Sequence, residues 1–172
     1  MHQDNRFMNY KHSIALCLLT FLLFTLSSCG FHLRGDYLIA PELQTLSIRS
    51  TDRFGELTRV VKRHLIQHNI NIVKESTPDI AQLVIVKDTL DRRTLSVFPN
   101  GQVAEYELTY TVHYQILIKD KAPQSFKFEV NRDYQDDPDA ALAKSRELSL
   151  MLREMRQEAA DRILRNMASF EV

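Results

Sequence analysis

From Val103 to Lys119, apolar and polar residues alternate for most of the run. Ala104, Tyr106, Leu108, Tyr110, Val112, Tyr114, Ile116 and Ile118 share one side. Glu105, Glu107, Thr109, Thr111, His113 and Gln115 share the other. A period of two over this length predicts a β-strand with one buried and one wet face. Ser125–Tyr134 repeats the pattern, with Phe126, Phe128, Val130 and Tyr134 inward. Leu83–Phe98, carrying Val84, Ile85, Val86, Leu95 and Val97, reads as a third strand. Asn100-Gly101 marks a hairpin between these runs, because both residues tolerate positive φ. The segment 120–124, with Pro123, is the next turn. The three runs predict an antiparallel meander. At ~3.3 Å per residue the middle strand would reach about 55 Å, so a bend or bulge is expected.

The period changes on either side of the meander. Thr45–Arg49 reads as a short strand, with Leu46 and Ile48 on one face. Arg53–His68 is a helix whose stripe is Leu57, Val61, Leu65 and His68, joined by Phe54 and Val60. Asp52 is its expected N-cap and Asn69 its stop. Ile70 and Ile72 suggest another short strand. A long helix closes the chain. Asp137 is its expected cap, and Pro138 suits the first helical position. Leu148, Leu152, Met155, Ala159, Ile163 and Met167 form its inner stripe. Glu158–Arg162 and Asp161–Arg165 are spaced for ion pairs on its wet side. The fold class is therefore α+β: a two-layer α/β sandwich, with a mostly antiparallel sheet of long meander strands packed on two helices.

The first 41 residues belong to a different pattern. Arg6 and Lys11 precede an apolar run from Ile14 to Leu26, about 13 residues long, which suits a signal peptide and falls short of the ~20 of a membrane span. Small residues then lead to a cysteine in Leu26-Ser27-Ser28-Cys29-Gly30. This resembles a lipobox, so residues 1–28 are expected to be removed and lipid attached at Cys29. Residues 29–41 are the lipidated N-terminus and connector, and 42–172 form a single domain. The cleaved chain would keep one Cys and no intramolecular disulfide. It loses two of 22 basic and one of 22 acidic residues, leaving 20 against 21 and a net charge of −1. A chain with no basic excess is not built for nucleic acid.

Beyond the lipobox, Cys29-Gly30-Phe31-His32-Leu33-Arg34-Gly35 resembles the mature opening of the LptE lipopolysaccharide-assembly lipoprotein family. The resemblance continues at Thr58-Arg59-Val60-Val61. It is closest over Ser96-Val97-Phe98-Pro99-Asn100-Gly101-Gln102-Val103-Ala104-Glu105-Tyr106. It returns at Ala141-Leu142-Ala143-Lys144, and at Glu154-Met155 with Ala159-Ala160. It implies an α/β sandwich anchored by lipid in the bacterial outer membrane, on the periplasmic side. Gly30 after the cysteine, where an Asp would signal inner-membrane retention, agrees with that destination. It further implies a plug inside the β-barrel protein LptD, helping that barrel assemble and helping insert lipopolysaccharide into the outer leaflet. Such proteins bind lipopolysaccharide, catalyse no covalent chemistry and use no cofactor. In the family, basic residues at the hairpin tip and near the start of the last helix are linked to lipopolysaccharide contact. Lys144 stands at the second position. At the tip, Pro99-Asn100-Gly101 has Pro99 where relatives carry Arg. Arg92 and Arg93 on the same strand, and Arg146 beside Lys144, complete the candidate bases, since lipid A phosphates attract Lys and Arg.

Rival chemistry has less support. His64 and His68 share a helix face, but Leu65 follows His64, where a zinc protease has Glu, and no third ligand is apparent. Asp133, Asp136, Asp137 and Asp139 lack calcium-loop spacing. Glu105 and Glu107 sit two apart on a wet strand face, as glycosidase carboxylates might pair, with no pocket legible around them. His113 shares that face. No phosphate loop or nucleophile elbow is present. The alternatives to the family reading are a stand-alone lipid-binding sandwich with an internal cavity and a periplasm-facing lipoprotein enzyme.

Overall fold

The computed structural model describes residues 39–52, 55–75 and 77–169. The proposed signal peptide, Cys29 and most of the connector lie outside these residues. Ile39 packs against the core, and Pro41–Leu43 forms one 3-10 turn.

The main elements follow in order: β1 (Thr45–Ser50), α1 (Glu56–Gln67), β2 (Asn71–Val73), β3 (Ala81–Val97), β4 (Val103–Leu117), β5 (Gln124–Gln135) and α2 (Ala141–Ala168). One five-stranded sheet has the order β2-β1-β3-β4-β5. β3, β4 and β5 form the antiparallel meander, and β1 runs parallel to both β2 and β3. The sheet is thus mixed but mostly antiparallel. The expected irregularity lies in β3, with register shifts between Ile85 and Lys87, Thr94 and Ser96, and Ser96 and Val97. Bulges of this kind bend a long strand and raise its twist.

The even-numbered face of β4 carries the core, as its alternation requires. Leu108, Tyr110, Val112, Tyr114 and Ile116 are buried there, against Met155, Ala159, Ile163 and Met167 of α2 and Leu57, Val61 and Leu65 of α1. Asn166 donates from its side-chain amide to the Tyr114 hydroxyl at 2.8 Å, tying α2 to the sheet. The odd-numbered face is less wet than its composition suggests, since Thr111 is buried.

Several local expectations need correction. Helix α1 begins at Glu56 with Gly55 as its N-cap and no capping side chain, so Asp52 is not the cap. Instead the Asp52 carbonyl accepts from Gly55 N at 3.2 Å, and the chain turns once more before the helix starts. His68 is the C-cap rather than a stripe residue. Asp137 accepts from the Asp139 amide and starts a 3-10 turn, Pro138–Ala140, and α2 follows at Ala141. The stripe of α2 is buried only from Met155 onward, with Ala160 and Leu164 joining it, and the first three turns are largely exposed. Asp161–Arg165 forms as spaced. Glu158 instead reaches Arg132 of β5, while Arg162 lies over Phe128 and donates to the Glu129 carbonyl at 3.1 Å. At the hairpin only Gly101 has positive φ, at 85°. Gly101 N donates to Phe98 O at 2.9 Å and Phe98 N to Gln102 O at 2.8 Å. This is a three-residue loop ending in a left-handed glycine, with Pro99 where a tight turn favours proline.

Candidate functional site

Residues opposite one another in an antiparallel sheet share a face. Thr94, Tyr106 and Tyr134 form one such row across β3, β4 and β5, and Arg92, Leu108 and Arg132 form the next. Leu108 is buried beneath the helices, so both rows look toward the helix layer. The Arg92 guanidinium lies 5.0 Å from the Tyr106 ring centroid, and Lys144 Nζ lies 5.5 Å from that of Tyr134. Both are within reach of a cation–π contact. The structure therefore brings together Arg92 from the sheet and Lys144 from the start of α2, over two neighbouring tyrosines.

The Lys144 position is firmly built. The Tyr134 hydroxyl donates to the Lys144 carbonyl at 3.0 Å, pinning the first turn of α2 over the sheet. Lys144 Nζ donates to Glu147 Oε2 at 2.9 Å, and this bond raises the pKa of the amine. Burial raises the pKa of the Tyr134 hydroxyl, which stays protonated as a donor. One exposed apolar side chain lies on the same strand face as Arg92: Leu90, two residues before it on β3.

The other candidate bases are placed elsewhere. Arg93 points to the opposite face, where its Nε and Nη2 donate to Glu107 Oε2 at 3.1 and 2.8 Å. Arg146 is exposed, but two residues along a helix is a turn of about 200°, so it faces away from Lys144. The tip Pro99-Asn100-Gly101 lies roughly 17 Å beyond Tyr106 at ~3.3 Å per residue. Asn100 closes it on itself, accepting from Gln102 N at 3.0 Å.

The alternation placed Tyr106 and Tyr134 on the inward face, where Tyr134 is buried and Tyr106 packs against the core, but gave no sign that each carries a cation. Arg132, in the row of Arg92 and held by Glu158, was not singled out. The available signal was positional. Both tyrosines end an apolar alternation, and bases fall within two residues of their partners in register.

The rival constellations dissolve into local structure. Glu105 accepts from Ser96 Oγ at 2.9 Å and Gln135 Nε2 at 3.3 Å, and Glu107 holds Arg93. His113 has Lys87 and Lys127 opposite it on the two neighbouring strands. Asp136 and Asp137 accept backbone N–H bonds of the turn into α2. Among the described residues, no three His, Cys, Asp or Glu side chains gather as a metal site, and no helix is long and apolar enough to cross a membrane.

A mixed, mostly antiparallel sheet under two helices defines a small two-layer α+β sandwich domain. A rare lipoprotein B from Shewanella oneidensis superposes with a TM-score of 0.67 at 48% identity, covering 73% of this chain and 94% of that one. LPS-assembly lipoproteins LptE from Photorhabdus laumondii and Yersinia enterocolitica are 34% and 35% identical. Each match covers 91% of this chain, and 86% and 76% of the respective relative. The family model for LptE, described as lipopolysaccharide-assembly, matches residues 43–167. The chain belongs to the LptE lipopolysaccharide-assembly family.

Proposed function

We propose that this chain is the lipid-anchored partner of the β-barrel protein LptD. It is held to the outer membrane through Cys29, fills the barrel lumen from the periplasmic side, helps the barrel assemble and assists lipopolysaccharide insertion into the outer leaflet. It does this by binding and positioning, without covalent catalysis. The observation that carries the lipopolysaccharide part is the pair of cations, Arg92 and Lys144, on neighbouring tyrosines with exposed Leu90 on the strand face of Arg92. Phosphates and acyl chains of one amphiphile match that mixture of charge and apolar surface. The polar odd-numbered face of β4 supports the plug reading, because the lumen of an outer-membrane barrel is polar. The stand-alone lipid-carrier alternative is less well supported. The space between helices and sheet is filled by side chains such as Val61, Val112, Met155 and Ile163.

The test is co-purification with LptD from membranes, together with capture of lipopolysaccharide by the isolated mature chain. The expected outcome is a complex with the barrel and binding that weakens with salt and in Arg92→Glu/Lys144→Glu. A folded mature chain that captures neither would refute the reading. Depletion should likewise remove lipopolysaccharide from the cell surface and leave the barrel misassembled.

A further inference from the structure

A second basic surface lies on the far side of the sheet from the meander. β1 and β2 run parallel and in register from Thr45–Asn71 to Ser47–Val73, and α1 crosses between them. β3 lies on the other side of β1, so the chain leaves β1 in one direction and returns past it in the other. Here the carboxyl ends of β1 and β2 and the flank of α1 enclose an open groove of about 920 Å³. That volume is within the range of small-ligand sites.

The groove is strongly cationic. Arg49, Arg59, Lys62 and Lys74 line it, with the hydroxyl residues Ser50 and Thr58 between them and half-buried Ile48 and Ile72 below. Arg59 has a loose acidic partner, Glu56 at 3.8 Å, which is also taken by Arg156 of α2. Arg49, Lys62 and Lys74 form no ion pair among the described residues. Bases gathered around one groove repel each other, and an anion relieves that repulsion. Arg engages phosphate through paired N–H donors and Lys as a point charge. The surface is distinct from the tyrosine-borne cations. Ser50 is level with Ile85 of β3, and Arg92 lies seven residues further on, roughly 23 Å at ~3.3 Å per residue.

We propose that this groove binds a ligand presenting two or more phosphate groups. Arg59 and Lys62 come from α1, Arg49 from the end of β1 and Lys74 from the end of β2. The Ser50 and Thr58 hydroxyls donate to the Asp52 carbonyl at 2.7 and 3.4 Å and shape the rim, and Ile48 and Ile72 form a floor for a sugar ring or methylene chain. The site stands independently of the lipopolysaccharide reading, since none of its residues belongs to the Arg92–Lys144 pair.

The experiment titrates the mature chain with inorganic pyrophosphate, followed by backbone amide NMR. In a separate arm it measures sedimentation with phosphatidylglycerol vesicles against phosphatidylcholine vesicles. The expected result is selective shifts at Ser50, Thr58 and Lys74. The dissociation constant should rise at least about tenfold in Arg59→Glu/Lys62→Glu and a few-fold in Lys74→Gln, and stay unchanged in Lys127→Gln, whose base pairs with Glu129 on β5. Loss of phosphatidylglycerol binding in the same variants identifies a lipid headgroup as the source, and loss of pyrophosphate binding alone identifies a soluble phosphate. Lys74→Gln serves if the double variant melts early. The proposal is overturned if the groove residues do not shift or if affinity is unmoved in folded variants. It is also overturned if the variants lose a protein partner while phosphate binding persists.

Discussion

Tyr106 and Tyr134 stand opposite each other across β4 and β5, and each holds a cation over its ring, Arg92 on the first and Lys144 on the second. Directly opposed side chains have Cβ atoms about 5 Å apart. The sheet register therefore sets the neighbourhood of two bases that are 52 residues apart in the chain.

The two bases are expected to act on one ligand. Lys144→Glu and Arg92→Glu should each weaken lipopolysaccharide capture. Their combined effect should be smaller than the sum of the single losses, because neighbouring sites on one ligand couple by about 0.5–3 kcal/mol. Tyr134→Phe keeps the ring and removes the bond to the Lys144 carbonyl, so it should reduce capture less than Lys144→Glu does. A binding assay on the four-member set, repeated at two salt concentrations, decides the matter. Strict additivity would mean that Arg92 and Lys144 contact different molecules.

Helix α2 should divide into a load-carrying and an idle half. Ile163 is fully buried between α1 and the sheet, whereas Leu150 is half exposed. Ile163→Ala should cost about 2–5 kcal/mol, as large-to-small core changes do. Leu150→Ala should change stability by less than about 0.5 kcal/mol, as exposed substitutions do. Urea unfolding of both variants measures this. A loss at Leu150 as large as that at Ile163 would show that the first turns of α2 are packed in solution.

Much of this division was legible in the chain, and the exceptions have physical causes. The period-two runs located the meander because one face of each strand is buried, and burial is what alternation records. The parallel pairing of β1 with β3 left no such trace, because Leu46 and Ser47 are both buried and their run does not alternate. The Asp52 cap failed because Ser, Asp and Gly near a helix start all satisfy the same rule, and the backbone chose Gly55. Lys144 came from family likeness and Arg92 from proximity to the hairpin. Their meeting depends on the Tyr106–Tyr134 register, which no local pattern encodes.

Acid should destabilise the domain through His64. Its Nδ1 is buried without a hydrogen-bond partner. Burial pulls the imidazole pKa below its ordinary 6.5, His68 and Arg63 pull the same way, and Asp161 of α2 opposes them. The native state therefore takes up this proton less readily than the unfolded chain. Stability from this residue is complete above the unfolded pKa and falls as pH drops through 6.5 toward the lower native value. Urea midpoints measured from pH 7.5 to 5.5 should decline in the parent and decline less in His64→Gln. Parallel curves for the two proteins would exclude His64 as the source.

The hairpin tip offers a contrast between shape and charge. Gly101 has φ of 85°, and a Cβ built there meets nothing within 4 Å. Any loss on substitution is then conformational rather than steric. Gly101→Ala should cost about 1 kcal/mol, the penalty of placing a side chain in the left-handed region. Gly101→Asn should cost less, since asparagine tolerates that region. Pro99→Ala should cost about 0.4–1 kcal/mol by freeing the unfolded chain, with no native contact removed. Thermal or urea denaturation of the three variants gives the order. Lipopolysaccharide capture should follow Lys144 and Arg92 and be indifferent to all three tip variants, because the row of tyrosines bearing the cations sits roughly 17 Å back from the tip at ~3.3 Å per residue. If Pro99→Ala instead abolished capture while leaving stability intact, the contact surface would have to be moved out to the tip itself.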